Sequence, residues 1–150
     1  MEGAALYDRL IVERARTPHF AGRMEQADRV GEGKNPLCGD KTRVEVALTH
    51  NHISQVRHHT RGCAICLAAA DLMAERITGL TPQHALAVGQ RFSAMLVDTT
   101  PPAHICDGHT ETPASRPLEA FAPLRAHRSR IRCAELPWVA LKEALVHVDI

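Results

Sequence analysis

Two cysteines, Cys38 and Cys63, stand on either side of a stretch patterned as a β-hairpin, and no other feature constrains the chain as much. Val44, Val46 and Leu48 alternate with Arg43, Glu45, Ala47 and Thr49, the period of a half-buried strand. The pair Asn51-His52 suits a tight turn. A second strand is expected from Ile53 to about Thr60, with Ile53 and Val56 out of phase and therefore a bulge near Ser54. Asn35-Pro36-Leu37-Cys38-Gly39-Asp40 is dense in turn residues and reads as a structured loop. The loop entering a hairpin and the loop leaving it lie at the same end of a sheet, so Cys38 and Cys63 are expected to approach one another.

Around this hairpin the periodicity is helical. Leu6, Leu10 and Ile11 form one stripe, and Thr17-Pro18 ends it. Gly22 to Lys34 is polar, with at best a short edge strand around Arg23 to Val30. Arg61-Gly62-Cys63 opens a helix with Ile65, Ala69, Leu72, Met73 and Ile77 on one face and Gly79 at the left-handed cap. Thr81 reads as an N-cap with Pro82 at the first helical position, and that helix carries Leu86, Val88, Phe92, Met95 and Leu96. Pro101, Pro102, Pro113, Pro117 and Pro123 mark residues 98–123 as an irregular insertion rather than core. A last helix is expected from about Cys133 to Val146, with Trp138, Leu141, Leu145 and Val146 along one side and Pro137 in its first turn. Strands early and helices late give an α+β chain, read as one domain over 1–150.

Composition narrows the function. Eighteen Lys and Arg against 17 Asp and Glu leave a formal net charge of +1, without the basic excess of a dedicated nucleic-acid binder. No apolar run approaches the roughly 20 residues of a membrane span. The opening residues Met1 to Asp8 lack the basic-then-apolar layout of a signal peptide, so a soluble cytoplasmic protein is expected. Five cysteines, an odd number in such a chain, argue against a disulfide framework and for metal or thiolate chemistry.

The candidates for that chemistry are Cys38, Asp40, Cys63 and Cys133. Cys63 and Cys133 each directly precede an expected helix, whose N-terminal partial charge favours the thiolate, and Arg61, Arg130 and Arg132 push the same way. Three thiolates and one carboxylate complete a tetrahedral Zn²⁺ shell, and soft thiolates equally suit an iron–sulfur cluster. The carboxylate is the harder, more exchangeable ligand, so such a site is expected to release its contents more readily than an all-cysteine cage.

The phrases Asn35-Pro36-Leu37-Cys38-Gly39-Asp40, Arg61-Gly62-Cys63-Ala64-Ile65 and Arg130-Ile131-Arg132-Cys133-Ala134-Glu135-Leu136-Pro137-Trp138 together resemble the IscU/SufU/NifU N-terminal family of iron–sulfur assembly proteins. The likeness begins at Leu6-Tyr7, runs through Ile11, Pro18 and Gly22 and ends with the last helix, leaving out about Asp98 to His127. It implies an α+β fold with a three-stranded antiparallel sheet packed by helices. It implies a site at Cys38, Asp40, Cys63 and Cys133 for Zn²⁺ or a transient [2Fe–2S] cluster. It also implies a cysteine desulfurase as sulfur donor and apo iron–sulfur proteins as recipients, with no nucleic acid and no membrane involved. IscU proper carries His directly before its last cysteine, where this chain has Arg132. The chaperone-binding Leu-Pro-Pro-Val-Lys of IscU is here Ala126-His127-Arg128-Ser129-Arg130. The long stretch between Cys63 and Cys133 also places the chain nearer the SufU branch, in which the first cysteine, here Cys38, accepts persulfide sulfur.

Other features have plainer readings. Cys63-Ala64-Ile65-Cys66 has the CxxC spacing of a thiol redox motif but lacks its βαβ setting, and Cys66 reads as a small helix residue facing the site or core. A redox protein built on Cys63 and Cys66 and a structural zinc module are the two rival functions. His104, Cys106 and His109 fall in the proline-rich insertion and read as solvated loop. His58 and His59 read as surface residues, and Tyr7, Phe92 and Trp138 as core. Arg125, Arg128, Arg130 and Arg132 form either a solvated face or a surface for an acidic desulfurase.

Overall fold

The computed structural model describes residues 9–36, 39–97, 118, 121–122, 124 and 128–146. In chain order the elements are α1 (Arg9–Arg16), β1 (Arg29–Asn35), β2 (Asp40–Thr49), β3 (His52–Arg61), α2 (Ala64–Ile77), α3 (Pro82–Val97) and α4 (Arg128–Val146). The three strands form one antiparallel sheet in the order β1-β2-β3. Helices α2 and α4 cover one face of it, α1 packs on α2, and α3 packs on α4. This is the expected α+β architecture. No helix among the described residues is long and apolar enough to cross a membrane.

The hairpin follows from its sequence with one shift. Ala47 pairs with Gln55 and Leu48 with Ile53, so Ser54 is the extra residue. That bulge resets the alternation and lets both Ile53 and Val56 point into the core, where each is fully buried. The turn lies one residue earlier than the Asn51-His52 pair suggests. His50 and Asn51 carry it at φ 53° and 64°, the paired positive angles that match strand twist in a two-residue hairpin.

The first strand lies later than Arg23 to Val30. Gly31 and Gly33, which look like loop punctuation, are its centre, and the close approach of α4 explains them. A Cβ on Gly31 would sit 2.0 Å from the Ala140 carbonyl oxygen, and one on Gly33 would sit 2.9 Å from that of Leu136. Only bare backbone lets the helix lie this near the strand.

Helix α4 begins at Arg128, one and a half turns before the expected start. Cys133 is therefore inside the helix and Pro137 in its interior, contrary to expectation. Pro137 has no N–H to give the Cys133 carbonyl four residues back. Trp138, Leu141 and Leu145 are buried as expected, whereas Val146 is 54% exposed. The end of α2 and the start of α3 follow the sequence: Gly79 has φ 95°, and the Thr81 hydroxyl accepts from the His84 amide at 3.2 Å. Most of the insertion lies outside the described residues, as do Leu6, Tyr7, Arg125, His104, Cys106 and His109. Within the insertion, however, Leu118 and Phe121 are fully buried, and Phe121 meets Phe92 edge to face with centroids 5.6 Å apart. Hydrophobic burial has recruited them to the core that proline content suggested they would avoid.

A buried polar cluster pins the N-terminal segment to the helices. Asp71, fully buried in α2, accepts from Arg14 Nη1 (3.0 Å), the His19 amide (2.9 Å), the Phe20 amide (2.7 Å) and His58 Nε2 (3.1 Å). Arg14 also pairs with Glu75. A carboxylate only accepts, so Nε2 of His58 carries a proton and, in the neutral ring, Nδ1 accepts from the Thr60 hydroxyl at 3.0 Å. Thr60 in turn meets Thr42 at 2.8 Å. His58 is thus wholly buried rather than a surface residue, because residues 20–22 run along β3 and shut it in.

Two outcomes test this packing. Gly31→Ala is expected to lower the free energy of urea unfolding by about 3 kcal/mol, the top of the usual overpacking range, or to prevent folding. Burial pushes the Asp71 carboxyl pKa up, but the bonds from His58, His19 and Phe20 outweigh it and hold the carboxyl below its ordinary range. The unfolded chain therefore takes up this proton first. Asp71 contributes stability above about pH 4, and that contribution disappears as pH falls toward its lower native value. Asp71→Asn should cost about 3–5 kcal/mol at pH 7, and the gap to the wild type should narrow in urea titrations between pH 5 and pH 3.

Candidate metal centre

Three chain segments converge where the β2–β3 hairpin begins and ends. Asn35 pairs with Asp40 across the first turn, and Lys41 pairs with Arg61, which sets Asp40 beside Gly62 and Cys63. Gly39, at φ 78°, turns the backbone into Asp40, and its amide donates to the Asn35 carbonyl at 2.7 Å. Gly62 lies directly over the Asp40 side chain: a Cβ there would come within 2.8 Å of both Cγ and Oδ1. The carboxylate is 6% exposed and reaches its place because position 62 has no side chain. Cys63 is the N-cap of α2, and its side chain makes no capping bond that would turn it from Asp40. Cys133 arrives from the second turn of α4, 3% exposed.

The donor atoms of Asp40, Cys63 and Cys133 all lie within 4.8 Å of one another. The Cys63 thiol is 3.9 Å from Asp40 Oδ2, and the Cys133 thiol is 4.0 Å from the Ser129 carbonyl oxygen. Ligands of a tetrahedral Zn²⁺ with Zn–S near 2.3 Å lie roughly 3.5–3.8 Å apart, so this trio needs only a small contraction. Burial raises the Cys133 thiol pKa well above its usual range, and the neighbouring Cys63 and Asp40 raise it further. The helix-dipole reading of Cys133 therefore fails: the residue is too far into α4, and its immediate surroundings are anionic. Three acidic groups crowded in a half-dry pocket are the donor set that a cation neutralises. The residues fit a soft divalent metal.

Of the expected site residues, Asp40, Cys63 and Cys133 are brought together, and Cys38 lies outside the described residues. Cys66 is fully buried in the hydrophobic core and is not among the converging donors. Arg132 is exposed and lines a shallow depression with Lys34 and Asn35, and Arg130 is half-buried. Sequence reasoning passed over Asp71, although a lone carboxylate among Ala68, Ala69, Ala70 and Leu72 was a visible signal of a buried partner.

A sheet of three antiparallel strands under two helices, with a thiol and carboxylate pocket at the hairpin's end, describes a small α+β protein with a candidate metal site. The chain belongs to the NifU-like N-terminal domain family, whose model matches residues 6–111. It is 29% identical over 143 residues to the iron–sulfur cluster assembly scaffold protein IscU of Streptococcus pyogenes serotype M1, covering 93% of this chain and 82% of that one. It is 27% identical over 140 residues to the zinc-dependent sulfurtransferase SufU of Bacillus subtilis, covering 93% and 89%. Among solved structures, a SufU from Fervidobacterium islandicum AW-1, described as a cluster assembly scaffold for the SUF system, superposes with a TM-score of 0.81 at 28% identity, covering 95% of this chain and 98% of that one. The N-terminal NifU-like protein of Brucella abortus shares the fold, with a TM-score of 0.86 at 19% identity and coverage of 99% and 98%.

Gly62→Ala should displace the Asp40 carboxylate. Zinc affinity, measured by competition with a chromophoric chelator, is expected to fall at least tenfold, the usual cost of disturbing a ligand's support, while the fold persists. Unchanged affinity would mean that Asp40 is not held in place as described.

Proposed function

We propose that this chain is an iron–sulfur cluster assembly protein that takes sulfur from a cysteine desulfurase and passes sulfur or cluster to apo iron–sulfur proteins. The observation that carries the reading is the convergence of Asp40, Cys63 and Cys133 within 4.8 Å. The family and the IscU and SufU relatives support it. Cys38, Asp40, Cys63 and Cys133 would hold Zn²⁺, with a transient [2Fe–2S] cluster as the alternative cargo. When bound, Zn²⁺ keeps its cysteine ligands deprotonated at neutral pH. Asp40 supplies the hard, exchangeable donor, and Gly62 keeps it in register with Cys63. Residues 1–150 form one such domain in this reading, with the 98–123 insertion contributing Leu118 and Phe121 to its core. A cytoplasmic setting, where thiols stay reduced, suits the chemistry.

Cys38 is the sulfur acceptor in this reading. Its thiolate attacks the outer sulfur of the desulfurase persulfide. The new bond gives a Cys38 persulfide, the enzyme's S–S bond breaks, and the desulfurase cysteine leaves as a thiolate. No electron is gained or lost overall, and the terminal S–H proton travels with its sulfur. A redox role for Cys63 and Cys66 finds less support, since Cys66 is shut inside the core.

Metal analysis and a desulfurase assay test the reading together. Protein purified without chelator should carry about one zinc or iron per chain and lose it in Cys63→Ser, and it should raise desulfurase turnover at least tenfold. Cys38→Ser should abolish that stimulation, and Cys66→Ala should retain both metal and stimulation. A Cys66→Ala variant that is inactive beside a Cys38→Ser variant that is fully active would replace this reading with the redox one.

A further inference from the structure

The open face of the sheet, opposite α2 and α4, carries a row of cations. Lys34 on β1 is paired in register with Lys41 on β2, and Lys41 with Arg61 on β3. All three are exposed. Neighbouring strands are about 4.8 Å apart, and like charges directly opposite one another weaken a sheet. Among the described residues none of the three forms an ion pair. The carboxylates on this face are already engaged: Glu32 and Glu45 both meet Arg43, at 3.5 and 2.9 Å, and Glu45 also accepts from the Met24 amide at 2.7 Å. No described carboxylate is within ion-pair distance of the row, so its positive charge faces solvent.

The row borders the metal centre. Lys41 follows Asp40, and Arg61 precedes Cys63 by two residues. Lys41, Arg43 and Arg61 with Arg23, His59 and Glu32 also line a depression of about 190 Å³. This is below the roughly 300–1,000 Å³ typical of small-molecule sites. The geometry points to this row as the docking surface for an acidic protein partner, whose Asp and Glu side chains replace the missing counter-charges while its reactive end faces Asp40 and Cys63. A polyphosphate chain is a poorer occupant: Glu32 and Glu45 stand on the same face, and the net charge of the whole chain is only +1. Cations beside a site chiefly steer encounter and make it sensitive to salt. The acidic character of the partner follows from the row alone. Its identity as the sulfur donor rests on the function proposed above.

The test uses the full zinc-loaded chain, labelled poly-L-glutamate and the cysteine desulfurase of the same organism. Poly-L-glutamate should bind the wild type at low salt. The variant K34Q/K41Q/R61Q should bind at least tenfold more weakly, with unchanged zinc content and a shallower salt dependence, whereas K142Q on α4 should behave as the wild type. Equal binding by the triple variant, or displacement of poly-L-glutamate by inorganic phosphate at equal charge, overturns the docking surface. A matching tenfold loss of desulfurase affinity in the triple variant identifies the partner as the sulfur donor. If poly-L-glutamate binding is lost in the variant but the wild type does not bind the desulfurase, the proposed function fails while the acidic-partner surface stands.

Discussion

The contact between the backbone of α4 and the two glycines of β1 determines where everything else can sit. With no side chains at Gly31 and Gly33, the helix lies against the strand at Ala140 and Leu136. One turn before Leu136 is Cys133, so the same contact that builds the core delivers a thiol to the end of the sheet. The hairpin register supplies the other two donors, because pairing Lys41 with Arg61 fixes Asp40 next to Gly62 and Cys63. The convergence of Asp40, Cys63 and Cys133 is thus a consequence of close packing along two interfaces, and a shift of one residue in either would scatter these donors.

Two charge arrangements divide the molecule. In the interior, Asp71 is satisfied by four donors, including His58 and Arg14, and closes the N-terminal segment over β3. A buried carboxylate so fully bonded is stable only as a set, since losing one partner leaves the others uncompensated. At the hairpin's end the opposite holds: Asp40, Cys63 and Cys133 are crowded together, none of them in an ion pair among the described residues, and Cys133 resists ionisation there. One cluster is complete within the chain. The other is the candidate site for a cation, and the exposed, unpaired row Lys34, Lys41 and Arg61 beside it is the proposed surface for anions from another molecule.

Much of this was legible in the residues. Alternation identified β2, the phase slip between Ile53 and Val56 identified the Ser54 bulge, and the turn residues around Cys38 and Gly62 located the hairpin's end. The readings that failed share a cause. Gly31 and Gly33 looked like breakers because their reason lies in a helix more than one hundred residues away, and no local pattern carries that information. Pro137 suggested a helix start because an interior proline is costly; tertiary packing of α4 onto the sheet overrides that local preference. His58 looked exposed because its cover, residues 20–22, joins β3 from a distant stretch of chain. Leu118 and Phe121 were hidden by the prolines around them, though each is apolar enough to be drawn into a core.

In the function proposed above, Cys38, Asp40, Cys63 and Cys133 complete one tetrahedral shell of three sulfurs and one carboxylate oxygen. X-ray absorption at the zinc edge of the loaded protein measures that shell directly. The expected shell has three sulfur ligands at about 2.3 Å and one oxygen at about 2.0 Å, with the oxygen lost or replaced in Asp40→Ala. A shell of four sulfurs, or one with fewer than three, would contradict it.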